Sequence, residues 1–146
     1  MGRDILIKAL PKLVQTEKPL RPAILLVDDD PFLSYARRAA LERSFLAIER
    51  VPSAAEAFIR IEEPDVASQI VLVVVSLHLP GLTGPSVVNE FTSRLPNVPI
   101  LAIGRAGEIA PDYAGEHVRF LPEFATTEDL LSGVMGMLAA PHANVA

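Results

Sequence analysis

At 146 residues, half of them apolar, the chain is long enough to bury one substantial core and short enough to form one domain. Its formal net charge of −5, with lysines and arginines scattered rather than clustered, argues against a nucleic-acid surface. The lack of cysteine excludes a disulfide framework and a thiolate metal site, and the apolar run beginning at Ile70 is too short to span a bilayer.

Met1 to Pro22 read as an extension and linker. Ile5, Leu6, Ala9, Leu10, Leu13 and Val14 recur at helix-like spacing, and the polar TEKPLRP segment that follows holds two prolines. The start has no continuous apolar core of signal-peptide length, is broken by Lys8 and Pro11, and carries Leu6 where myristoylation wants Ser or Thr. These features point to a cytoplasmic, untargeted protein.

Ala23 to Val27 is an apolar strand that ends directly in Asp28, Asp29 and Asp30, with Pro31 suited to the first turn of a helix that the acids can cap. The helix expected over Pro31 to Phe45 turns Phe32, Tyr35, Ala36, Ala39, Ala40 and Leu41 inward and Arg37, Arg38, Glu42 and Arg43 outward. Ala47 to Val51 is a short strand. Ser53 to Glu63 is a helix opening on a capping box, Ser53 with Glu56 three residues on, and Pro64-Asp65 stops it. Ile70 begins a strand of seven apolar residues in eight positions, four of them valine, which fits burial on both faces of a parallel sheet. It runs into Ser76, His78 and a Pro80-Gly81 turn. Pro85 to Leu95 is a helix, Val98 to Ile103 and His117 to Leu121 are strands, and Thr127 to Ala139 is a closing helix with Glu128 and Asp129 in its first turn. Residues 23–139 thus make one α/β domain, a flavodoxin-like doubly wound, five-stranded parallel sheet with flanking helices, and residues 140–146 a tail. In such sheets a site lies beyond the carboxyl ends of the strands, where Asp28, Asp29 and Ser76 fall.

The run ILLVDDDPFL, the strand leading into SLHLPGLTG and the segment PILAIG resemble the receiver domain of two-component response regulators over nearly the whole chain. In that family the phosphate-accepting aspartate ends the third strand, with Pro four and Gly eight residues later, a frame kept by Ser76, Pro80 and Gly84. The resemblance implies that Asp28 and Asp29 are the acidic pair that holds Mg²⁺. It also places Ser76 at the phosphoacceptor, Gly104 at the switch Thr or Ser, and Pro122, followed by Glu123, at the usual Lys. A serine hydroxyl is a weak nucleophile without a base, and His78, whose backbone carbonyl alone serves the metal in this family, reads as a solvated loop histidine. One carboxylate fewer implies a weak Mg²⁺ site at best, and Arg105 either replaces the missing Lys or points to water.

Only ten residues, with Gly107 and Pro111 among them, separate Gly104 from Gly115, so the fourth helix of a receiver is shortened here. Tyr113 lies in that segment. Arg119 or Phe120 stands near the aromatic that swings with the switch Thr in the family. The reading is a degenerate receiver: no enzyme, no firmly held cofactor, no nucleic acid and no membrane, working through protein contacts with a sensor kinase or another regulator. A homodimer through Met135, Met137 and Leu138 is one form of such contact, and ordinary core packing of these residues is the other. The alternative function is a small-ligand-binding or enzymatic domain using the Asp28, Asp29 and Ser76 cleft, although no Gly-rich phosphate loop is present.

Overall fold

A computed structural model describes residues 21–81, 83–105 and 117–139. The N-terminal extension up to residue 20, the segment expected to hold the shortened helix and Tyr113, and the tail after Ala139 lie outside the described residues.

The chain alternates strand and helix: β1 Ala23–Val27, α1 Pro31–Glu42, β2 Ala47–Val51, α2 Ala54–Ile61, α3 Pro64–Ala67, β3 Ile70–Ser76, α4 Gly84–Arg94, β4 Ile100–Gly104, β5 Val118–Pro122 and α5 Thr127–Ala139. All strand pairs are parallel, in the order β2-β1-β3-β4-β5. β1, β3 and β4 are flanked on both sides, which is why they read as near-continuous apolar runs, whereas β2 and β5 at the edges carry Glu49, Arg50 and Arg119.

Alternation along the strands splits the core into two layers. Leu25, Val27, Val73 and Val75 face one side, where Ala54, Ala57 and Ile61 of α2 and Val87, Val88 and Phe91 of α4 cover them. Ile24, Leu26, Leu72 and Val74 face the other, covered by Leu41 of α1 and by Leu130, Val134 and Met137 of α5. The sheet is therefore wound on both faces, as the strand and helix order predicts.

Local signals explain most boundaries. Asp30 caps α1 by accepting from the N–H groups of Phe32 and Leu33, and Ser53 caps α2 by accepting from Glu56 N at 3.1 Å. Thr83 does the same for α4 through Ser86 N. Pro64 ends α2 but also opens the single turn α3, because a proline fits the first turn of a helix as readily as it blocks a preceding one.

Two expectations for α1 are corrected. The helix ends at Glu42 rather than Phe45, since the Ser44 hydroxyl donates to Leu41 O at 2.6 Å and accepts from Leu46 N, drawing the chain into a turn. Its inward stripe is Ser34, Arg37, Ala40 and Leu41, whereas Phe32, Tyr35, Ala36 and Ala39 are exposed. Small alanines carry little facing signal, and the partner waiting for Arg37 sets the rotation. On α5, Met137 is core and Leu138 packs against it, which leaves Met135 as the half-exposed one of the three residues considered for a dimer.

Phe45 closes the turn after α1 at φ 65° while 96% exposed, so it takes the left-handed conformation with no compensating burial. Phe45→Asn is expected to raise stability by about 0.5–1 kcal/mol, because asparagine tolerates that region better. Urea unfolding measures it, and a loss of stability would show that the exposed ring makes a contact of its own.

Candidate functional site

The strand order reverses between β1 and β3, and the register sets Val27 beside Val75, so Asp28 and Ser76 are the next residues out on adjacent strands. Ser76 pairs with Ile103, and Gly104 with Pro122, which brings all five positions of the receiver resemblance to one end of the sheet. The chemistry there differs from the resemblance at each strand.

Asp28 is 2% exposed, and every polar atom of the residue is engaged. Its Oδ2 accepts from Arg37 Nη1 at 2.5 Å, its Oδ1 from Asp30 N at 3.0 Å and its backbone O from Arg50 Nη2 at 2.9 Å, while its N–H donates to Val51 O. A carboxylate removed from water requires such compensation, and Arg37, itself buried, supplies the opposite charge. Arg37, expected on the outer face of α1, is turned inward by this contact. The signal was present: a buried acid after β1 demands a cation, and Ser34, Arg37 and Leu41 stand at i, i+3 and i+7 of the following helix.

The other two acids diverge. Asp29 is exposed, and Asp30 spends its carboxylate on capping α1. Among the described residues no set of three or more His, Asp or Glu side chains converges on a point that could hold a metal ion.

β3 ends at Ser76, whose hydroxyl accepts from His78 N at 3.3 Å across the following turn. That turn breaks the strand parity which would have aligned the His78 and Ser76 side chains. His78 instead sets its Nε2 3.6 Å from Glu123 Oε2, and Arg105 sets its Nε 3.6 Å from Glu123 Oε1. Glu123 thus links the ends of β3, β4 and β5, and Arg105, mostly exposed, lies beside it. Arg37 and Pro122 line a shared cavity of about 10 Å³ with Leu121 and Thr126, barely the room of one water. The cation that meets Asp28 comes from α1.

No protein-family model matches the chain, and no curated protein is similar enough in sequence to match it. Solved structures do match. The signal receiver domain of an HD domain-containing protein from Pseudomonas fluorescens superposes with a TM-score of 0.71 at 20% identity, covering 86% of this chain and 92% of that one. A response regulator receiver protein from Sinorhizobium medicae gives 0.71 at 24% identity, covering 82% and 96%. A CheY-like response regulator receiver domain protein from Methanospirillum hungatei gives 0.68 at 21%, covering 81% and 94%.

The Arg37–Asp28 pair and the exposed Arg43–Glu128 pair, which joins α1 to α5, should differ sharply in worth. Arg37→Ala strands a buried carboxylate and is expected to cost about 3–5 kcal/mol, with Asp28→Asn plus Arg37→Met recovering most of it. Arg43→Ala is expected to cost less than about 1 kcal/mol. Urea unfolding ranks them, and equal losses would contradict the hub role of Asp28. The five parallel strands, the order β2-β1-β3-β4-β5 and these superpositions together show that the chain has the fold of response-regulator receiver domains.

Proposed function

We propose that the chain is a receiver-like signalling module of a two-component type pathway that works without aspartyl phosphorylation, through contact with another protein. The observation that carries the reading is the Arg37 guanidinium on Asp28, which gives the acid a permanent internal cation where the receiver resemblance puts Mg²⁺.

The donor set does not fit Mg²⁺, which prefers octahedral oxygen coordination and gains most from carboxylate charge. Asp28 has both oxygens engaged, Asp29 stands exposed, and Ser76 brings a neutral hydroxyl in place of the third acid. Among the described residues the candidate bases for Ser76 are engaged elsewhere: Asp28 is bound to Arg37, and His78 lies beside Glu123. Gly104 has no hydroxyl to follow a phosphoryl group and Pro122 no ammonium, so a group added at position 76 lacks contacts that differ between two states, and without them no equilibrium shifts.

Protein contact is supported by exposed apolar side chains at the same end of the sheet. Phe32 and Leu33 open α1, and Phe124 follows β5, with Phe32 86% and Phe124 79% exposed. Apolar side chains exposed at one end of the sheet suit an interaction surface. The partner class that fits this reading is a sensor kinase or another regulator.

Intact-mass analysis after incubation with acetyl phosphate and Mg²⁺ tests the reading, together with backbone NMR with and without beryllofluoride, for the natural chain and for Ser76→Asp. The natural chain is expected to gain no phosphoryl group, and Ser76→Asp to show no broad shifts spreading from Gly104 to Pro122. Phosphoryl uptake by the natural chain, or a full conformational response in the single variant, would contradict it.

A further inference from the structure

β2 forms one edge of the sheet, with β1 on its inner side. Ala47 N donates to Pro22 O and Val51 O accepts from Asp28 N, so these residues aim their backbone at β1. By the alternation of a parallel ladder, Ile48 and Arg50 aim theirs outward, where no described strand lies.

A cleft flanks the strand on each side. The one against α2, about 270 Å³, is lined by Val51, Glu56, Ile59 and Arg60. The one against α1, about 150 Å³, is lined by Pro31, Ser34, Tyr35 and Arg38. Arg50 lines both. Tyr35 and Ile59 form exposed apolar lips.

The charge at this edge is uneven. Arg60 is paired with Glu49, and Arg38 lies 3.9 Å from Glu42 with both side chains more than half exposed. Arg50 has no carboxylate partner among the described residues: its Nη2 donates to a backbone oxygen, and its Nε is buried with no hydrogen-bond partner. A buried donor left unmatched is rare in native proteins and calls for an explanation.

We propose that the outer edge of β2 docks an extended segment of another protein in which apolar and acidic side chains alternate. An added strand sends successive side chains to opposite faces, so its apolar residues enter the cleft of Val51 and Ile59 while its carboxylates meet Arg38 and Arg50. Backbone groups of Ile48 and Arg50 supply the main-chain hydrogen bonds. A second copy of this chain fits poorly, because antiparallel pairing about a two-fold centred on Glu49 or Arg50 sets like charges opposite one another. Arg50 touches the Asp28 carbonyl, but the docking uses none of the chemistry argued for Asp28 and Ser76, and its failure leaves the reading above standing.

The test is NMR titration of the full chain with an acetylated heptapeptide of alternating valine and aspartate, beside its valine and lysine counterpart. The acidic peptide is expected to shift the amides of Ile48 to Val51, Tyr35 and Ile59, and to bind about tenfold or more tightly than the basic one. Arg38→Glu and Ile59→Asp, both at exposed positions, are each expected to weaken it by about tenfold, with the spectra of the free variants reporting an intact fold. Equal binding of the two peptides, shifts elsewhere or no shifts would overturn the proposal, the last meaning that the charges of β2 only shield an edge. Self-association seen by sedimentation, with shifts at β2, would replace the peptide by a second copy and overturn it equally.

Discussion

The end of the sheet is organised by one charge that has to be neutralised where water is absent. Asp28 follows directly on the buried strand β1, and its carboxylate cannot reach solvent. Arg37 answers it from α1, Asp30 N–H fills its second oxygen, and Arg50 of β2 reaches its backbone carbonyl. Three elements are tied through one residue. The rotation of α1 follows, since placing Arg37 inward puts Ser34 and Leu41 inward too and leaves Phe32 and Tyr35 in water. Buried ion pairs add little net stability over well-packed apolar groups, but losing one partner is costly, so the pair holds α1 in one orientation more than it deepens the fold.

The electrostatics around the pair run opposite to what the receiver resemblance implies. Pro122 stands at the end of β5 where a lysine is expected, and the next residue, Glu123, brings negative charge that draws in His78 and Arg105. The positive group beside the acids arrives instead from α1 and shares a cavity wall with Pro122. The acid after β1 stays in place, its cation comes from α1, and a further acid follows β5. Asp28 and Glu123 therefore each lie beside a cation of the chain itself, while Asp29 faces solvent.

Strands, sheet order and helix starts were legible because they rest on short-range chemistry. The valine-rich run from Ile70 fits burial on both faces, and Asp30 and Ser53 each announce a helix through a side chain that accepts from the backbone, whereas the Thr83 cap of α4 was not read from the sequence. The facing of α1 was not legible from its apolar residues, because three of its twelve positions are alanines, which carry little facing signal, and the deciding contact is tertiary, from Arg37 to an acid nine residues back. Asp28 and Ser76 were legible as strand-end positions of one cleft, and Gly104 and Pro122 joined them through the resemblance to receiver domains; the register places all four at one end of the sheet. What each side chain touches depended on turns, above all the one after Ser76 that sends His78 to Glu123, and the turn geometry is not encoded in the strand pattern.

The central claim is that Arg37 holds Asp28 permanently and so stands in for an exchangeable metal. The side-chain guanidinium signals of Arg37, followed by NMR during Mg²⁺ titration, test it most directly. The account predicts signals protected from solvent exchange and unmoved up to about 10 mM Mg²⁺, well above the range in which a working carboxylate site saturates. Arg37 signals that shift and saturate at micromolar Mg²⁺ would show that the ion displaces the arginine, and would contradict it.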